Sequence, residues 1–243
     1  MTGPVPAAEP ADPAAPAELG APAPAALGAQ LVRAVQIMDR LRSPGGCPWD
    51  AQQTHSSLAP YLIEEAYETL DAIETHDLAA LREELGDLLL QVLFHARLAE
   101  EAAAGDRFTI DDVAADLVAK LVRRHPHVFA DTVADSAAVV ATNWEAIKQA
   151  EKQRNSVTDG IAMQQPALAL AAKLVSRSSR AGLAAPLPAG DGIGERLLAV
   201  VADAVQAGVD PEQALRATAR AYRAGIRALD GSDPEAIDGA TGE

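Results

Sequence analysis

From Leu31 onward, apolar residues recur every three or four positions, and this helical period runs through most of the remaining chain. Leu31, Val35, Met38 and Leu41 form one face of a first helix, which the turn Ser43-Pro44-Gly45-Gly46 ends. The pattern predicts a second helix over about 57–75 and a third over about 78–104. Thr109, with Asp112 three residues later, reads as the N-cap and capping-box pair of a fourth helix. That helix runs to about Arg124 and stops at His125-Pro126. A fifth is expected over 136–152, leading into a polar linker around 155–160. Helical spacing resumes from Ile161 to Leu229, with a Pro/Gly-rich break between Pro186 and Gly194. No segment alternates apolar and polar positions at any length, so the expected fold class is all-α, a helical bundle.

Composition sharpens the domain reading. Residues 1–29 are almost entirely Ala, Pro, Gly and a few acids; their seven prolines forbid a continuous helix, and a disordered tail is expected. The helical part divides into a module at 30–155 and a second at 156–229, with a flexible acidic tail at 230–243. The chain has 20 Lys+Arg against 35 Asp+Glu, a net charge of −15, which argues against nucleic acid as a partner. Aromatics make up 3% of it, too few for a binder that stacks on single strands. No apolar run approaches the roughly 18 residues of a membrane span, and the start lacks the basic-then-apolar order of a secretory signal. The single cysteine, Cys47, excludes an internal disulfide framework and suits a reducing cytoplasm. A soluble cytoplasmic protein is expected.

Two carboxylate rows change the picture. Glu64-Glu65-Ala66-Tyr67-Glu68 lies on the second helix and Glu84-Leu85-Gly86-Asp87 on the third. Glu65 and Glu68, like Glu84 and Asp87, are three apart and share a helix face, where like charges repel. On a solvated face this would mean little. From Leu85 to Phe94, however, only Asp87 and Gln91 are polar, so the third helix is expected to be buried. Glu84, Asp87, Gln91 and His95 then form one polar stripe, and buried carboxylates need a partner. Two antiparallel helices facing their carboxylates across a shared pocket, bridged by metal, satisfy this. Four carboxylates with no soft ligand suit Mg²⁺ first and Mn²⁺ second. A di-iron bundle is the competitor, but none of the five histidines has a Glu three residues before it.

Magnesium held by carboxylates in a cleft commonly takes a polyphosphate as its other ligand. The fourth helix offers Lys120 and Arg124 on one face with Arg123 beside them, although cations also favour a helix C-terminus on electrostatic grounds alone. Trp144 and Lys148, four apart, could add a flat surface and a further cation. His125-Pro126-His127 invites a zinc reading, but two histidines without further close ligands read as a helix stop.

Several ordered motifs now stand together: Gly46-Cys47-Pro48-Trp49-Asp50, Gln53-Thr54, Pro60-Tyr61, Glu64-Glu65-x-x-Glu68, Glu84-Leu85-Gly86-Asp87-Leu88-Leu89 and Arg123-Arg124-His125-Pro126-His127-Val128-Phe129. Over about 30–152 the sequence closely resembles the MazG nucleoside triphosphate pyrophosphohydrolases, and more loosely beyond. The resemblance implies an all-α bundle acting as a homodimer or higher homo-oligomer. It also implies Mg²⁺-dependent cleavage of nucleoside triphosphates between the α and β phosphates. Carried onto this chain, it makes Glu65, Glu68, Glu84 and Asp87 metal ligands and catalytic residues, with Glu64 in an outer or proton-accepting role. Lys120, Arg123, Arg124, Trp144 and Lys148 fall where the family contacts the nucleotide. Asp50 and His95 are weaker candidates, His95 reading rather as a core histidine with a satisfied hydrogen bond.

The second half echoes the first in damaged form. Gly192 to Leu198 aligns with Glu84 to Leu90, and Asp210 to Ala214 with Thr109 to Val113. In that register Glu84 becomes Gly192, Lys120 becomes Ala221, Arg123 becomes Ala224 and Arg124 becomes Gly225; Asp87 alone keeps a carboxylate, as Glu195. Nine residues with two prolines between Gly182 and Gly192 leave no room for an acidic partner helix. A degenerate, structural second module is expected. The leading reading is a broad nucleotide-pool house-cleaning enzyme. The alternatives are a narrower nucleotide pyrophosphatase, of dUTP or phosphoribosyl-nucleotide type, and a non-catalytic binding protein.

Overall fold

The computed structural model describes residues 27–130, 136–137, 139–140, 143–144, 147, 151, 156–183 and 185–231. It divides into two compact units, residues 1–133 and 134–243. The described residues contain helices and turns and no strand. The expected terminal tails fall almost wholly outside the described residues, as does much of the expected helix at 136–152.

The first unit opens with α1 (Ala29–Arg42), which ends at Ser43 as its turn residues require. The chain then folds back on the helix end: Gly46 N–H donates to Ser43 O and Cys47 N–H to Leu41 O, each at 2.8 Å. A Cβ on Gly46 would run into the carbonyl oxygens of Arg40 and Leu41, so this approach admits only glycine. A short helix comes next, α2 (Pro48–Gln52), at a place where the sequence pattern shows only a turn. Pro48 starts it, because its missing N–H is one that a helix N-terminus leaves unbonded anyway.

The second expected helix is α3 (His55–Glu74), two residues longer at its start than the pattern shows. Thr54 caps it in a capping box with Ser57: Thr54 Oγ1 accepts from Ser57 N–H, and Ser57 Oγ accepts from Thr54 N–H. The helix closes on His76, whose φ of 59° puts a non-glycine residue in the left-handed region. Asp77 N–H then reaches back to Ala72 O and His76 N–H to Ile73 O, the paired bonds of a Schellman turn. Asp77 at once caps the next helix, its carboxylate accepting from Ala79 and Ala80 N–H. This helix, α4 (Leu78–Ala99), is five residues shorter at its end than expected, because the chain breaks into turns after Glu100. The tight joint sets α3 and α4 antiparallel and in fixed register.

Thr109 and Asp112 form the expected capping box, opening α5 (Ile110–Arg124), and α6 (Pro126–Phe129) comes directly after it. Met38, Leu58, Leu93 and Phe94 form the core, packed against Val35, Leu89, Leu98 and Ile110. One expectation fails here. Within its own unit α4 is not buried all round: Leu85, Leu90 and Val92 are exposed, Leu85 by 52%. Among the described residues of this unit these three positions are left exposed, and α5, which packs on α4, contains no buried residue.

The second unit contains α7 (Ala167–Arg180), α8 (Ile193–Gln206) and α9 (Pro211–Asp230) around Val201, which is 1% exposed. Asp210, aligned with Thr109 in the internal echo, also caps its helix. Glu195, the counterpart of Asp87, folds back over the start of α8 so closely that a Cβ on Gly192 would collide with its carboxylate. Gly192 stands where the first half has Glu84, so the echo of the Glu84–Asp87 pair keeps one carboxylate, and that one lies against the start of its own helix.

Candidate active site

The antiparallel register of α3 and α4 brings Glu65, Glu84 and Asp87 together, one oxygen from each lying within 4.8 Å of the others. All three are half-buried. Glu68 is exposed at the edge of the cluster, one turn along α3 from Glu65. The electrostatics arise from this crowding. Partial burial, then the charges of Asp87, Glu68 and Glu84, push the Glu65 carboxyl above its usual range. Glu84 is raised likewise, by desolvation first and then by Glu68, Asp87 and Glu83. A cluster of like charges that resists its own ionisation is stabilised by a cation. The donors are hard carboxylate oxygens with no thiolate or imidazole among them, a set that fits Mg²⁺ or Mn²⁺.

The remaining sequence candidates lie around this cluster or apart from it. Glu64 is exposed beside Glu65 on α3. Lys120, Arg123 and Arg124 form the C-terminal end of α5, which packs on α4; Lys120 and Arg123 are exposed and Arg124 half-buried. Trp144 belongs to the second unit, and Lys148 lies outside the described residues. Asp50 is buried in α2, its backbone carbonyl accepting from Arg42. His95 is only partly the satisfied core histidine that the sequence suggests. Its Nδ1 meets His55 Nδ1 at 2.7 Å, whereas its buried Nε2 has no partner.

The sequence reading missed what holds this end of the bundle. The Arg42 side chain, 4% exposed, donates to the carbonyls of Asp50 and Gln53, to both oxygens of Glu101, and lies over the Phe94 ring. No local pattern links residues so far apart in sequence. Trp49 and Tyr61 meet edge to face at a centroid separation of 6.4 Å, Tyr61 one turn before Glu65 on α3.

The family model described as the MazG nucleotide pyrophosphohydrolase domain matches residues 53–129, which span α3 to α6 and hold the whole carboxylate cluster. An Escherichia coli (strain K12) protein named nucleoside triphosphate pyrophosphohydrolase is 44% identical over 187 residues, 74% of this chain and 70% of that one. The chain belongs to the MazG family. A Mycobacterium tuberculosis protein of the same name is 50% identical over 189 residues, of which this chain covers 54% of the relative's length. A Streptomyces cacaoi relative, known only as an uncharacterized 26.1 kDa protein, is 55% identical over 206 residues, 84% of each chain. In this MazG chain no described helix is long and apolar enough to cross a membrane.

Proposed function

We propose that this MazG protein is a cytoplasmic, magnesium-dependent nucleoside triphosphate pyrophosphohydrolase of broad specificity. It cleaves between the α and β phosphates to give a nucleoside monophosphate and pyrophosphate. The observation that carries the reading is the convergence of Glu65, Glu84 and Asp87 from two helices onto one point. The names of the Escherichia coli and Mycobacterium tuberculosis relatives support the reaction.

In this reading Glu65, Glu68, Glu84 and Asp87 hold the cation. When bound, Mg²⁺, or Mn²⁺ in its place, neutralises phosphate charge and acidifies water near the α phosphorus. The oxygen of water bonds to the α phosphorus, the bond from that phosphorus to the bridging oxygen breaks, and pyrophosphate leaves with the bond's electron pair. Glu64, exposed beside the cluster, is assigned the proton that the water loses. Lys120, Arg123, Arg124 and Lys148 take up charge developing on the leaving phosphates, and Trp144 offers a flat surface to the nucleoside.

The uncovered apolar residues support a homodimer or higher homo-oligomer. Leu85, Leu90 and Val92 of α4, and Leu117, Leu121 and Val122 of α5, are exposed in a single copy. Burial against a second copy is the ordinary way such faces are removed from water. The second unit is read as a degenerate module with a structural role, since the position matching Glu84 is Gly192 and the Glu195 carboxylate lies against the start of its own helix.

Product analysis tests the reading: purified protein with each nucleoside triphosphate in turn, with Mg²⁺ and with chelator, resolved by ion exchange. Monophosphate plus pyrophosphate, lost on chelation, is expected. Diphosphate plus phosphate would refute the bond cleaved. Nucleotide binding without product would leave a binding protein.

A further inference from the structure

The His55–His95 pair bridges the start of α3 and the second half of α4, away from the carboxylate cluster. Its ring centroids are 5.0 Å apart and its planes within 3° of parallel, with the Nδ1 atoms 2.7 Å apart. Two ring radii plus that contact account for the whole centroid separation. The rings therefore meet edge to edge in nearly one plane, joined by one N–H···N bond, and are not stacked face to face.

A count of protons then fixes the chemistry. Two neutral imidazoles carry two N–H groups on four nitrogens. One lies between the Nδ1 atoms. The other belongs on His55 Nε2, because His55 is exposed, whereas the Nε2 of His95 is buried without a partner. This makes His95 the donor, with a bare Nε2, an orphaned acceptor being more tolerable than an orphaned N–H. Adding one proton to the pair leaves no choice. With one N–H shared between the Nδ1 atoms, both Nε2 atoms must carry hydrogen, so the buried Nε2 of His95 becomes a donor with nothing to receive it. A second proton removes the acceptor from the joint altogether.

We propose that the His55–His95 pair is an acid-sensitive latch, closed while both rings are neutral and opened by uptake of a single proton, which frees the first turn of α3 from α4.

None of the charged groups on the adjoining helices bonds to His95 Nε2, which has no hydrogen-bond partner. From α1 come Asp39 and Arg42, and from α4 Arg97, Glu100 and Glu101. These are engaged with one another: Arg42 with Glu101, and Arg97 with Asp39, Glu100 and Glu101. Asp50 of α2 is buried, and Asp112 of α5 is bonded to Thr109. Burial first, and then the neighbouring His55, hold the His95 imidazole below the usual range.

Nitrogen NMR of the imidazoles, combined with amide-exchange protection against pH in the full chain, tests this. At about pH 8 the expected state is His95 protonated on Nδ1 and bare on Nε2. On acidification, protection over 55–58 and 92–96 should fall about tenfold per pH unit, the slope of one proton taken up on opening. A His95→Phe variant, which keeps a ring and removes its nitrogens, should lose that acid dependence. A proton on His95 Nε2 at alkaline pH, or charging of both rings with protection unchanged, would overturn the proposal. So would an undiminished acid dependence in a folded His95→Phe protein. If that variant does not fold, the wild-type readings decide.

Discussion

Arg42 and Glu101, 59 positions apart in sequence, meet through two hydrogen bonds of 2.8 and 3.1 Å at the open end of the α1–α4 pair. The same guanidinium donates to the carbonyls of Asp50 and Gln53, so one side chain ties together α1, α2 with the residue that closes it, and the turn after α4. Five N–H donors in a planar fork permit this, and an ammonium cannot reproduce it.

Arg42→Ala should therefore lower stability by about 3 kcal/mol, the scale for breaking a buried, hydrogen-bonded charge. Arg42→Lys should recover only part of this loss. Urea unfolding monitored by circular dichroism measures both; a midpoint unchanged in the alanine variant would show that the clasp contributes little.

The same contact predicts an acid limb. The Arg42 guanidinium, as hydrogen-bond partner, is the main influence holding Glu101 below the unfolded-chain value of 4.5. A carboxylate lowered on folding contributes stability that is fully present above that value and is lost as pH falls through the folded one. Glu101→Gln should flatten the fall in melting temperature below about pH 4.5 relative to wild type. An identical acid limb in the two proteins would contradict it.

For the carboxylate cluster, Asp87→Asn and Glu68→Ala should each reduce turnover roughly 100-fold or more, the scale at which a transition-state contact is lost. Asp87→Asn should also raise the melting temperature of the metal-free protein, since it removes a charge that Glu65 and Glu84 both oppose. Added Mg²⁺ should stabilise wild type, by mass action on the folded state, and should stabilise the variant less. Calorimetry with and without Mg²⁺ checks the pair of signs.

His76 sits at a φ of 59°, where a side chain costs about 1 kcal/mol that glycine avoids. His76→Gly should raise stability by up to that amount while leaving turnover intact, measured by thermal unfolding and product release. A fall in stability would mean that the imidazole contributes to the turn by itself.

How much of this was legible beforehand depended on the range of each interaction. Thr109 and Asp112 announce α5 because a capping box is a local bond at fixed spacing. Glu65, Glu84 and Asp87 could be placed on two faces, since each row obeys helical period. Their meeting needed only the short joint between the helices. By contrast, Pro48–Gln52 lies among turn residues, and its five positions are too few to show a period. Arg42 with Glu101 and His55 with His95 are chosen across 59 and 40 positions, with no sequence signal nearby. The exposed Leu85 and Val92 were misread because an apolar pattern shows that a face needs covering and not which chain covers it.

The joint at Thr75 to Asp77 makes α3 and α4 a measuring device. Glu65 and Glu68 are set by counting back from it, Glu84 and Asp87 by counting forward. A residue inserted between Asp77 and Glu84 would turn the second pair by about 100° around the α4 axis, away from α3. Insertions are free of that penalty beyond Ala99, where the chain has left the helix and no carboxylate depends on the count. Length variation among functional homologues should accordingly be absent from 65–87 and gather in the loop after α4.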